Sequence, residues 1–455
     1  MTPGSNDARK SRRYLVQDPR RLADVEEKHA RIREFLAAAG ADAVLLQDPA
    51  NIAWFTAGAD IGRCSSDSCL TSVFVTDEAR LFATNAVDSA QVFEREAFGL
   101  GFQLKQREWF QPHAALVEDL CRGRKVVSDS GIDGTRGVGK ALNPLRLPLT
   151  DLDVDRLQKL SRVVLHAVEV TAGRIRRGMT ESAVAGEISH RLLRRTVTPV
   201  RIQVCADGRN ARYRHWTFGE DPIESFATVT CIARRWGLHV ALSRTVCLDK
   251  VPADLWAAHQ KAVMIHATGM YFSQHAEPLK NIWPRVQRIY EKNGLSSEWQ
   301  LSDQADVTGY RSSEHQLTPN SDFTLQAPCP VYWHPSVAAA MMGDTILVLP
   351  NGCEILTRSE TWPELRVQVK GHDIPCPGLL LIREKSTREP AMNETPLPDD
   401  KIAEPRAADS TNDVFGLEEE PEASRVDSTW ELDLHDDASV FDDEESQYSR
   451  ESVLD

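Results

Sequence analysis

The chain has 455 residues, 41% of them hydrophobic, which suffices for two globular cores plus extensions and excludes a chain that is disordered throughout. Its net charge of -14 belongs to one end: residues 386–455 hold 5 Lys/Arg against 22 Asp/Glu, whereas the rest holds 48 against 45. The body therefore lacks the basic excess of a nucleic-acid binder, no apolar run nears the roughly 20 residues of a membrane-spanning helix, and nine scattered cysteines without Cys-x-x-Cys argue against a disulfide framework or zinc ribbon.

Residues 1–17 are polar and basic without the apolar stretch of a secretory signal, so a disordered leader and a cytoplasmic location are expected. Leu22, Val25, Ile32 and Leu36 recur at helical spacing over Arg20–Ala39, and Gly40 stands where a helix-ending glycine belongs. A strand "DAVLLQ", the stretch "NIAWFTAG", a hairpin "SVFVTDEARLFAT" turning at Asp77-Glu78, a helix over Ala90–Ala97 and a strand "RKVVSDS" complete an α/β unit, residues 18–147. "LNPLRLPLTDLDV" reads as a proline-punctuated connector into a second domain, residues 148–384.

That domain opens with a helix predicted over Asp153–Arg176, followed by one capped by Thr180 with Val184, Ile188 and Leu192 on one face. Strands are expected from Val200 to Val246, helices over Ala253–Gln274 and Lys280–Asn293, and strands again up to Leu381. Residues 385–455, rich in Asp, Glu, Ser and Pro, read as a disordered acidic tail. Phe415, Trp430 and Phe441 are isolated apolar points within it, read either as docking points for a protein partner or, as the composition favours, as part of a solvated tail without a fixed partner.

From Arg214 onward the motifs fall into a recognisable order: "RHWTFGEDPIE", the paired strands "FATVTCIARRWGLHVALSRTV", then "DQADVTGYRSSE", then "VYWHPSVAAAMMGDTILVLPNG" and "TWP". With "ADAVLLQDPANIAWFTAG" near the start, this order resembles the pita-bread family of creatinase, prolidase and Xaa-Pro aminopeptidase over about residues 20–383. The resemblance implies an α/β (α+β) fold: a creatinase-type N-terminal domain, then a pita-bread domain. It also implies a homodimer acting on a peptide or small-molecule substrate.

Metal-dependent members of that family hold two divalent ions with two aspartates, a histidine and two glutamates, a donor set that suits hard cations sharing an activated hydroxide. Carried onto this sequence, the resemblance puts Thr230 and Ala241 at the aspartates, Asp303 at the histidine, Gly343 at the last glutamate, and leaves Glu314 as the retained ligand. It implies no cofactor and no dinuclear metal. A rearranged single-ion site drawn from His215, His239, Glu314 or His334 is one alternative.

His215 aligns with the family's substrate-side histidine, and imidazole titrates near neutrality. Metal-free hydrolysis of a C–N bond is then expected to use His215 as acid/base and Glu314 as its carboxylate partner. Asp303, His239, Arg244 and His334 are expected around the substrate. The competing reading is a catalytically inactive pseudopeptidase that binds a ligand or protein.

Overall fold

The structure, a computed structural model, describes residues 18–61, 71–132 and 134–383; the expected leader and acidic tail lie outside the described residues. The first helix spans Arg20–Ala39 as predicted, and Gly40 ends it at a φ of 61° with its N–H on the last turn. "NIAWF" belongs to a short helix, Pro49–Phe55, because Asp48 caps the N–H of Ala50 and proline occupies the first turn.

Six strands make the N-terminal sheet, in the spatial order Gln103–Arg107, Arg80–Asn85, Ser72–Val75, Ala43–Leu46, Val126–Ser128, Arg136–Gly137. The hairpin at Asp77-Glu78 pairs Val75 with Arg80 as expected. The edge strand Gln103–Arg107 and the helix His113–Cys121 were not expected; a polar stretch such as "QLKQR" carries no apolar alternation.

The long helix of the second domain runs Asp151–Ala172, ending before the predicted Arg176 and starting before the predicted Asp153 because Thr150 and Asp153 form a reciprocal capping box there. It packs on a four-stranded sheet ordered Leu379–Ile382, Leu238–Leu248, Phe226–Arg235, Thr198–Ala206. A second sheet, ordered His315–Gln316, Ala305–Val307, Cys329–Trp333, Asp344–Leu349, Gly352–Ile355, lies with the helices Ala253–Phe272 and Leu279–Lys292. Residues 207–225 form a loop between strands rather than the continuous strand structure expected there, so His215 stands on a loop. No described helix is long and apolar enough to cross a membrane.

The two domains share one core, in which Val25, Ile52 and Phe55 join Leu157, Val164, Val229 and Tyr310. Within the junction Lys28, fully buried, meets Asp24 at 2.7 Å, Asp153 at 3.1 Å and the hydroxyl of Tyr310 at 3.1 Å. A buried charge needs such partners, because desolvation is otherwise strongly unfavourable. Tyr310, from the "TGYRSS" motif, thus seats the second domain against the first.

Candidate functional site

The hairpin Phe226–Leu248 turns at Trp236 and Gly237, with φ of 54° and 79°. A Cβ on Gly237 would lie 2.6 Å from the Cβ of Ala53 and 2.9 Å from the Tyr310 ring, so the turn requires glycine where it presses on the N-terminal domain. Every residue of the strand Leu238–Leu248 is buried.

Thr230 and Ser243 are cross-strand partners, and their hydroxyls meet at 2.6 Å. The Ser243 hydroxyl continues to that of Tyr332 at 3.1 Å, and the Ser243 N–H donates to Gly343 at 3.0 Å. Ala241 exchanges two hydrogen bonds with Thr345, whose hydroxyl donates to the Ala241 carbonyl at 2.7 Å and accepts from its N–H at 3.1 Å. A Cβ built on Gly343 would lie 2.7 Å from the Tyr332 hydroxyl and 2.8 Å from that of Ser243. Three of the positions assigned to metal-ligating carboxylates thus form a buried network of neutral groups that satisfy one another. Burial pushes the Tyr332 phenol up, so it stays neutral too. This donor set does not fit a pair of divalent ions, which need oxyanions to offset their charge.

Tyr332 also faces the other way: its ring stacks on that of His334 with centroids 4.6 Å apart. The His334 Nε2 is 2.9 Å from an oxygen of Asp306, which lies on the neighbouring strand opposite Tyr332. Asp303, just ahead of that strand, joins them: the ligand-type atoms of Asp303, Asp306 and His334 all lie within 4.8 Å of one another. From the 207–225 loop, His215 brings its Nε2 to 3.4 Å from Asp303. Sequence reasoning missed Asp306. The signal was its place two residues after Gln304 in an apolar strand start, where period-two alternation puts it on one face with the pairing residue Tyr332.

The other expected site residues lie elsewhere. Glu314 is buried, and both its oxygens take the guanidinium of Arg146, one at 2.9 Å; the first also accepts from the Arg311 N–H at 3.1 Å. No hydrogen bond or ion pair joins it to His215, which is 61% exposed. Arg146 comes from the interdomain connector and also bonds Asn143 and Asn51, so Glu314 anchors the second domain to the helix Pro49–Phe55.

His239 is buried, with its N–H and Nδ1 both against the carbonyl of Gly309 at 2.9 and 3.2 Å. Burial drives its pKa down to about 4, so it is neutral near pH 7. Arg244 is buried and spent on scaffold contacts: Asp344 at 3.1 Å, the carbonyls of Ser243, Gly343 and Thr357, and Glu169 at 3.4 Å. His239 and Arg244 were expected around the substrate; these bonds hold strand to strand instead. Of the expected residues, the structure gathers His215, Asp303 and His334.

A hairpin-centred pair of sheets behind a smaller α/β domain defines a pita-bread protein. Residues 155–348 match the family model of metallopeptidase family M24, in line with the expected likeness to creatinase and prolidase. Similar solved structures include the Xaa-Pro dipeptidase of Bacillus anthracis, 19% identical over 74% of this chain and 98% of that one, TM-score 0.62. The prolidase of Pyrococcus horikoshii OT3 is 15% identical over 73% and 99%, TM-score 0.64. The N-terminal domain of FACT complex subunit SPT16 from Cicer arietinum (chickpea) is 11% identical over 74% and 96%, TM-score 0.56. No curated protein matches the chain by sequence.

Proposed function

We propose that this chain is a pseudopeptidase: a pita-bread protein that has lost two-metal peptide hydrolysis and serves as a binding scaffold for a peptide or protein partner. The observation that carries this reading is the Tyr332 hydroxyl, which occupies the space a side chain at Gly343 would need and closes a neutral chain through Ser243 to Thr230. Two-metal hydrolysis needs anionic ligands that lower the pKa of a shared water, and none of these three groups is anionic. The fold also occurs in the N-terminal domain of a FACT complex subunit. A homodimer, carried over from the family resemblance, and the cytoplasmic location expected from the N-terminal composition belong to the same reading.

One observation favours a second reading, metal-independent C–N hydrolysis: His215 is within reach of a carboxylate. That carboxylate is Asp303, so the acid/base pair of this reading is His215–Asp303 and not His215–Glu314. Turnover of Xaa-Pro dipeptides and creatine by the full chain, with and without added Mn2+, decides between them. The scaffold reading expects no turnover above buffer and a thermal shift with a bound peptide or partner. Turnover abolished by His215→Ala would overturn it.

A further inference from the structure

We propose that Asp303, Asp306 and His334, with His215 as a fourth donor, form a site for a single divalent first-row transition ion at the edge of the five-stranded sheet. This goes beyond the scaffold reading, which concerns the neutral network on the far side of Tyr332. Neither depends on the other.

Geometry supplies the first argument. Tetrahedral ions of this class hold imidazole nitrogen and carboxylate oxygen at about 2.0–2.2 Å, which sets neighbouring donors roughly 3.3–3.6 Å apart. The three donors of Asp303, Asp306 and His334 lie within 4.8 Å of one another, the His334–Asp306 pair at 2.9 Å and the His215–Asp303 pair at 3.4 Å. Small rotations of Asp303, Asp306 and His334 bring their donors to ligand spacing, and His215 approaches from the side of Asp303.

Charge supplies the second. Among the described residues, neither Asp303 nor Asp306 is ion-paired with a lysine or arginine; each is paired with a histidine. Two carboxylates held this close together form a pocket whose charge a bound divalent ion offsets. The imidazoles select the metal class, since nitrogen donors favour zinc, cobalt or nickel over calcium and magnesium.

The surroundings supply the third. Ser313 donates to the other oxygen of Asp306 at 2.5 Å, which leaves the His334-facing oxygen for an ion. Gln316 reaches the second oxygen of Asp303 at 3.4 Å, and the Tyr332 ring holds the His334 plane by stacking. Such supporting contacts orient ligands and raise affinity. His334, Asp306 and Asp303 are 12%, 14% and 26% exposed as side chains, so an ion can reach them while most water is excluded. The site differs from the rearranged one considered from sequence, because His239 and Glu314 are bound elsewhere and Asp303 and Asp306 take their places.

The test is Co2+ titration of the metal-stripped full chain in excess Mg2+, which occupies the acidic C-terminal segment with a hard cation. Visible d–d absorption and elemental analysis are the readouts. One equivalent is expected, with the intense bands of a four-coordinate nitrogen-containing site, displaced by Zn2+. Asp303→Asn, Asp306→Asn and His334→Gln should each weaken binding about 100-fold and His215→Ala about tenfold, while His190→Gln leaves it unchanged. Asp303 lies at a loop end, so Asp303→Asn tests the site even if Asp306→Asn or His334→Gln fails to fold. Absence of the bands in the wild type, or wild-type binding by a folded Asp303→Asn, overturns the proposal.

Discussion

Asp306 and Glu314 bound the same turn, and they meet opposite company. Glu314 is walled in and matched by the fork of Arg146, whereas Asp306 sees a hydroxyl, an imidazole and a path to solvent. The histidines divide in the same way: His239, His259 and His266 are buried, while His215 and His334 stand at the edge beside carboxylates. Glu314 and His239 are fixed by scaffold bonds, whereas Asp306 and His334 at the edge keep donors to offer. Burial and partner, more than residue type, decide which groups are available for chemistry.

The largest effect that tests this division is acid sensitivity. Burial lowers His239, His259 and His266 from 6.5 to about 4 each. Unfolding returns them to the ordinary range, so between pH 6.5 and about 4 the unfolded chain binds more protons and stability falls as pH drops through that window. Above it these groups contribute no slope. Each contributes up to about 3 kcal/mol, so urea midpoints should fall by several kcal/mol equivalents between pH 7.5 and 4.5, and His259→Leu should flatten the slope. Equal stability at the two pH values would break the comparison on the interior side.

Next in size is the domain clamp. Arg146→Ala strands a buried carboxylate, and a loss of about 3–5 kcal/mol is expected in urea unfolding. Arg146→Met combined with Glu314→Leu should cost clearly less than Arg146→Ala, because the apolar pair leaves no unpaired charge. Equal losses would mean that Glu314 is better solvated than its burial indicates.

Much of the fold was legible because it rests on local patterns: the Gly40 cap, the Thr180 cap, the paired strands within residues 226–246 and the amphipathic helices. The neutral positions Thr230, Ala241 and Gly343 were legible from motif order. Partnerships were not. Arg146 and Glu314 are far apart in sequence, and only the closed domain junction shows that Glu314 faces a guanidinium rather than His215. Nor did spacing separate Asp303 from Asp306, since the choice depends on which residue the strand Ala305–Val307 aims at His334. The role of Tyr332 was hidden for the same reason: its hydroxyl reaches Ser243 on another strand, while its ring stacks on His334 just past the end of its own.

That double role predicts a coupling. Gly343→Ala should destabilise by about 1–3 kcal/mol, because a methyl group 2.7 Å from the Tyr332 hydroxyl forces a shift in a filled interior. Tyr332→Val removes that obstacle, so Gly343→Ala in the Tyr332→Val background should cost about 1 kcal/mol less than in the wild type. An additive cycle would show that the neutral network accommodates bulk at Gly343 without Tyr332.

The smallest stability effect belongs to the edge. His215 is 61% exposed and, among the described residues, is ion-paired with Asp303 alone, so His215→Ala should change unfolding free energy by no more than about 0.5 kcal/mol without metal. With saturating Zn2+ the wild type should gain stability over His215→Ala, since an ion that binds the native state more tightly stabilises it by mass action. The melting temperatures of the two proteins should therefore coincide in chelator and separate in Zn2+. A gap already present in chelator would make His215 a structural residue like His239, and the division between interior and edge would fail at the residue where it is most exposed.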